Sequence, residues 1–190
     1  MPEGIPGLFA KIALALACLA LALVVAQRLF FGFMSQAPAD YAAGAPAFEL
    51  REVLNGPLVS SGVIYGPTGR VATRFAAEMQ GTWGAEGGTL AESFRFDSGR
   101  QLDRVWHIVL GADGRFTATA DDVVGIGEGE AVGSAAVLRY RLRLPEGGRE
   151  VDVTDWLYLG PDGVIVNRAQ FRRFGILLGE IVGTIRPAGR

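Results

Sequence analysis

One cysteine, one histidine and one lysine are all that 190 residues supply of these side chains. Each shortage excludes something. Cys18 has no second cysteine to pair with, so no intramolecular disulfide holds the fold together. Cys18 and His107 cannot build a zinc site from four cysteine and histidine ligands. His107 is the sole imidazole available as a base to a serine or cysteine nucleophile. Net charge is −2, so no broad basic face awaits nucleic acid. No catalytic residue, metal, cofactor or nucleic-acid partner is expected. Regular helical periodicity is also missing: no segment after residue 40 sustains a 3.6-residue repeat.

The N-terminus holds a long apolar run. Residues 12–26 (IALALACLALALVVA) carry no charged or amide side chain, with Lys11 before them and Gln27 and Arg28 after. Leu8 to Met34 reaches the roughly 20 apolar residues that a spanning helix needs, provided Lys11 and Arg28 extend to the two interfaces. Phe30, Phe31 and Phe33 would then sit near the outer headgroups. The run is apolar on every face, unlike a helix that packs on a soluble core. Two rivals stay open. One is a signal peptide cleaved at Val24-Val25-Ala26 or Ala37-Pro38-Ala39. The other is a lipoprotein signal with Cys18 lipidated, although the apolar run continues well past Cys18. The expected organisation is a membrane anchor or signal segment at 1–34, a flexible linker at 35–47 and one domain at 48–190. The short N-terminal side favours an inside N-terminus with the domain exported. That places the protein in the inner membrane with its domain in the periplasm. Signal cleavage would instead release it to the periplasm.

After Phe48 the chain breaks into short alternating runs. Turn signals recur about every ten residues, among them Asn55-Gly56-Pro57, Asp97-Ser98-Gly99, Gly147-Gly148 and Gly160-Pro161-Asp162-Gly163. Between them, Val71, Thr73, Phe75, Ala77 and Met79 share one face, and Arg70, Arg74, Glu78 and Gln80 the other. Leu138, Tyr140, Leu142 and Leu144 oppose Arg139, Arg141 and Arg143 in the same way. This is an all-β pattern. It predicts a single antiparallel, lipocalin-like β-barrel of eight to ten strands behind one N-terminal helix.

Charged residues on the apolar faces are the informative exceptions. Leu90, Glu92, Phe94 and Phe96 share a face, as do Leu102, Arg104, Trp106, Ile108 and Leu110 on the next strand. A turn centred near Ser98 sets Glu92 opposite Arg104 and Leu90 opposite Trp106. Two charges on an apolar face are costly unless paired, so an interior Glu92–Arg104 ion pair is expected. A two-residue turn at Pro161-Asp162 likewise sets Asp155 opposite Arg168, and a turn at Gly147-Gly148 brings Tyr140 across from Asp155. Three readings of these groups stay open. They fix register inside a packed core, they form the polar floor of a ligand pocket, or Glu92 and Asp155 act as catalytic carboxylates.

Other features carry less. His107 falls on the solvent face. Gly125 to Gly129 lacks the lysine and following helix of a phosphate loop and reads as a turn between strands. Asp121-Asp122 lacks the ligand loop of a calcium site. Arg139, Arg141 and Arg143 read as a solvated strand face, with Trp156 placed to cover Arg139.

Several motifs together resemble a known family. They are Leu54-Asn55-Gly56-Pro57-Leu58, Gly81-Thr82-Trp83 with Gly88-Thr89-Leu90 and Glu92, Arg104-Val105-Trp106, Ala120 to Gly125, Asp155-Trp156-Leu157-Tyr158-Leu159, Val166-Asn167-Arg168-Ala169 and Phe174-Gly175. In this order, from about Phe48 to Ile185, they resemble the bacterial lipoprotein family called domain of unknown function 3833. The resemblance implies an envelope-associated protein of Gram-negative bacteria with a lipocalin-like fold. It implies no activity. Many members carry a lipidated cysteine where this chain has a longer apolar run, which leaves the mode of anchoring open.

The sequence therefore points to a barrel that binds an apolar or amphipathic, lipid-like molecule. The expected site is Glu92, Arg104, Trp106, Tyr140, Asp155 and Arg168. The alternative is a structural or interaction protein of the envelope with a packed interior. An enzyme comes last.

Overall fold

A computed structural model describes residues 5–145 and 147–189, and only the backbone of residues 5, 6 and 28–30. The chain divides into two units, Met1–Asp40 and Tyr41–Arg190. The expected positions of the Arg28 and Phe30 side chains lie outside the described residues.

The first unit is dominated by α1 (Ile5–Phe30), 26 residues long. At 1.5 Å per residue it measures about 39 Å, more than the roughly 30 Å of a bilayer core. Its stretch Gly7–Gln27 has a mean hydropathy of 2.7, and none of it is buried. Leucines on different sides, such as Leu8, Leu14 and Leu16, are exposed. By length and composition α1 can cross a membrane. Single turns of tighter helix follow at Phe33–Ser35 and Pro38–Tyr41.

The second unit is a closed antiparallel barrel of ten strands. They are β1 (Gly56–Tyr65), β2 (Val71–Trp83), β3 (Gly87–Phe96), β4 (Gln101–Leu110) and β5 (Arg115–Thr119). Then come β6 (Val123–Val132), β7 (Ala135–Arg143), β8 (Glu150–Leu159), β9 (Ile165–Arg173) and β10 (Ile176–Pro187). Each strand pairs with its chain neighbours, and β10 returns to β1, with Val63 beside Val182. Closure leaves no unpaired sheet edge. The alternation read in β2 is the one that folds: Phe75, Ala77 and Met79 are buried, while Arg74, Glu78 and Gln80 are exposed. His107, Arg139, Arg141 and Arg143 lie exposed on the outside.

One end of the barrel is plugged. A single helical turn, α2 (Leu50–Val53), follows Phe48 and carries Leu50 and Leu54 into the core. Trp83 Nε1 donates to the Leu54 carbonyl at 2.9 Å. Gly81 permits the approach, since a Cβ there would overlap the same carbonyl. One turn is too short for a periodic signal, so the sequence does not announce it.

Outside the barrel, Tyr41 lies against Trp156 and Tyr158, at ring separations of 5.2 and 5.4 Å. This corrects the expected cover of Arg139 by Trp156. The Trp156 indole is covered by tyrosines, and Arg139 sits opposite Thr154. Phe48 N–H donates to the Gly133 carbonyl, so the chain just before α2 is tied to the β6–β7 turn.

Gly125 to Gly129 is a second correction. The segment is not a turn but part of β6, with a bulge between Val124 and Glu128. Gly129 faces Phe116 across β5, and a Cβ there would strike the Phe116 ring. Gly129 makes room for an aromatic side chain within a strand.

Candidate functional site

Inside the barrel lies a cavity of about 530 Å³. Phe48, Leu50 and Leu54 line it from the α2 end. Phe75 and Met79 of β2 and Ile181 and Ile185 of β10 make an apolar wall. The facing wall, β3, β4 and β7 to β9, is polar in its middle. It presents Glu92, Arg104, Trp106, Tyr140, Asp155 and Asn167, and Asp122 joins them from the β5–β6 turn.

The β3–β4 register is the one read from the sequence: Glu92 opposite Arg104, Leu90 opposite Trp106. The expected ion pair is not what forms. Arg104 turns its planar fork to Asp122 instead. Its Nε donates to both carboxylate oxygens at 3.1 Å, and its Nη2 to Oδ2 at 2.6 Å. A two-point grip suits a guanidinium better than a single cross-strand contact. Glu92 receives a neutral donor, the Trp106 indole N–H, at 3.2 Å. The Trp106 ring meets Tyr140 edge-on at 5.1 Å, and the Arg104 guanidinium lies over the indole at 5.4 Å.

On the next hairpins Asp155 faces inward, but its partner changes. Asp155 pairs in register with Ala169 and Leu138. The β8–β9 loop spans Pro161 to Gly163, closed by Gly160 N–H to the Val164 carbonyl, with Gly163 at φ 79°. That is one loop residue more than a two-residue turn. A shift of one residue turns every side chain of a strand to the opposite face. Arg168 therefore lies outside the barrel and pairs with Glu180 of β10 at 2.8 Å. It does not line the cavity, and the expected Asp155–Arg168 pair is absent. Asn167 takes the inward place and donates its amide to Asp155 and, at 3.2 Å, to the Trp156 carbonyl. Tyr140 lies opposite Val153 rather than Asp155. This offset of two residues keeps both groups inside. Five of the six expected site residues therefore share the cavity wall.

The electrostatics follow from burial. Burial pushes the Glu92 carboxyl up to about 7, with the Asp155 and Asp122 charges adding to the rise; Arg104 and the Trp106 N–H pull the other way. Burial also pushes Asp155 up to about 6, against the Asn167 hydrogen bond and Arg104. The Tyr140 phenol is raised by burial and then by Asp155, so it stays protonated. Burial works against the Arg104 charge, but the hydrogen-bonded Asp122 and the nearby Glu92 oppose it, and the guanidinium stays above its ordinary value. Among the described residues, no group of three histidine, cysteine or carboxylate side chains is placed to hold a metal ion.

Sequence reasoning missed Asp122 and Asn167. Both stood inside quoted motifs. The signal for Asp122 was the need of Arg104 for an acid, with the β5–β6 turn near enough to bring one.

The family described as "Protein of unknown function (DUF3833)" matches residues 27–187. The chain belongs to this family. Comparison with curated proteins finds no match. Among solved structures, the DUF3833 barrel is similar to the S-type phycobiliprotein lyase CPES from Guillardia theta. The TM-score is 0.55 and the identity 10%, over 82% of this chain and 99% of the lyase. At that identity the likeness speaks for the fold: a lipocalin-like barrel, as the sequence pattern predicts.

Proposed function

We propose that the protein is a binding module of the cell envelope whose barrel holds one lipid-like or other amphipathic molecule. The observation that carries this reading is the cavity of about 530 Å³, apolar on most sides with a polar cluster on one wall. Ligand pockets commonly occupy roughly 300–1,000 Å³ and combine apolar walls with a few placed polar groups. A packed structural barrel would fill that volume with side chains. In the structural neighbour the same fold carries a lyase, which supports a working interior over a filled one.

The apolar body of the ligand lies against Phe75, Met79, Ile181 and Ile185, and its polar end meets Glu92, Tyr140 and Asp155. Trp106 and Asn167 position the two acids, and Arg104 works through Asp122 as part of the wall. Arg168 has no part, because it faces outward. Helix α1 anchors the protein in the inner membrane, and the barrel stands in the periplasm. The apolar length of α1 supports that placement, as it does a signal sequence.

The test uses a neutral apolar dye, N-phenyl-1-naphthylamine, titrated into the full chain in phosphatidylcholine nanodiscs, with empty nanodiscs subtracted. Saturable fluorescence enhancement at one dye per chain is expected. Ala169→Phe, which fills the cavity beside Asp155, should abolish it while circular dichroism stays unchanged. Enhancement no greater than that of empty nanodiscs refutes the reading.

A further inference from the structure

The polar cluster in the cavity is unbalanced, and the imbalance bears on which polar end it accepts. Three carboxyl groups face the interior or its turn: Glu92 from β3, Asp155 from β8 and Asp122 from the β5–β6 turn. One guanidinium, Arg104 of β4, stands among them, and its fork is already turned to Asp122. Glu92 accepts one hydrogen bond, from Trp106, through Oε2. Asp155 accepts one, from Asn167, through Oδ1. The second oxygen of each, and the Tyr140 hydroxyl, have no side-chain partner among the described residues. Tyr140 is more than nine-tenths buried and lines the cavity. The other ionisable groups on the wall, Tyr65 and Arg100, sit at the end of β1 and in the β3–β4 turn. The elements β2, β6, β9 and β10 add no ionisable lining group.

Resting on the binding reading above, we infer that the cavity selects amphiphiles whose polar end is a protonated amine and discriminates against carboxylates. The vacant oxygens are acceptors, so they match a donor-rich head. An ammonium brings three donors and a positive charge to a wall that has acids in excess. A carboxylate would bring a further negative group to a cluster whose own cation, Arg104, is engaged by Asp122, with the other lining guanidinium, Arg100, set apart in the β3–β4 turn; that like-charge juxtaposition selects against it. An alcohol satisfies the hydrogen bonds without the charge. As pH rises, Glu92 and Asp155 lose their protons and the wall grows more negative. Amine binding tightens accordingly, and alcohol binding does not.

The experiment displaces the dye from the full chain in nanodiscs with octylamine, octanol and octanoate, one chain length with three heads. At about pH 8, octylamine is expected to displace the dye about tenfold more tightly than octanoate, a charge-dependent preference. Lowering the pH to about 5 should shrink the advantage of octylamine over octanol, because both acids become protonated. Glu92→Gln and Asp155→Asn should each reduce octylamine affinity by a larger factor than octanol affinity, so that the ratio between the two heads falls. Octanoate equal to or tighter than octylamine overturns the inference, as does failure of all three to displace a dye that binds. If the dye itself does not bind, the binding reading fails and this inference fails with it.

Discussion

Two polar clusters, one inside the barrel and one outside, use the same side-chain chemistry to different ends. Outside, Arg168 donates to Glu180 at 2.8 Å, Gln170 donates to the second oxygen of Glu180, and Arg172 donates to Gln170 at 2.7 Å. Gln170 is 4 % exposed, yet both polar atoms of its amide are matched. Inside, Arg104 and Asp122 match each other, while Glu92, Asp155 and Tyr140 keep atoms without a side-chain partner. Those atoms open on the cavity rather than into packed side chains. A cluster that is complete holds the wall together. A cluster left open beside a cavity is the one that a ligand can complete.

That contrast can be broken at several points. The largest effect is expected from Asp122→Ala. It strands the Arg104 guanidinium, whose side chain is 14% exposed, without its acid. Removing one partner of such a pair costs on the order of 3 kcal/mol, and chemical denaturation should show it.

Glu92→Gln is expected to act in the opposite direction. Glu92 and Asp155 hold protons more tightly in the folded chain than in the unfolded one, because burial raises both carboxyls. The folded state therefore carries extra protons between about pH 4 and about pH 7. This contribution to stability is complete below that window and is lost as pH rises through it. Replacing Glu92 removes its share, so the variant should be more stable than wild type above about pH 7, by on the order of 3 kcal/mol. The difference should vanish near pH 4, and thermal melts across that range would measure it. A variant less stable at high pH would mean that the Glu92 carboxylate is fully paired in the free protein.

The smallest effect is expected outside. Arg168→Gln removes the charge of a side chain that is 41 % exposed and leaves the Gln170–Glu180 hydrogen bond in place. The loss should be about 1 kcal/mol, read by the same denaturation curves, since such pairs contribute little. A loss equal to that of Asp122→Ala would erase the distinction between the clusters.

Much of this was legible in the chain, and the exceptions have physical causes. The barrel follows from alternation in strands such as β2 and β7. The Glu92–Arg104 register follows from a three-residue loop, Asp97 to Gly99, with Gly99 at φ 82°. Pro161 to Gly163 forms the same kind of loop, with Gly163 at φ 79°. Reading it as two residues placed Arg168 inside. The glycine at the third position is the signal for the left-handed residue that ends such a loop. Asp122 was hidden for another reason. It comes from a turn rather than from a cross-strand position, and alternation says nothing about where a turn residue points. The cavity itself is not written in any local pattern. Whether inward side chains fill a barrel depends on all ten strands at once, and on the small residues Ala118, Ala136 and Ala169 that leave space in the wall.

The proposed function stands or falls with a ligand in the barrel. Native mass spectrometry of the full chain, extracted with its surrounding membrane lipids, tests it most directly. One amphipathic adduct per chain is expected, retained after detergent is stripped away and lost in Ala169→Phe. A wild-type mass that is bare under the same conditions, and that stays bare after incubation with the extracted lipids, would contradict it.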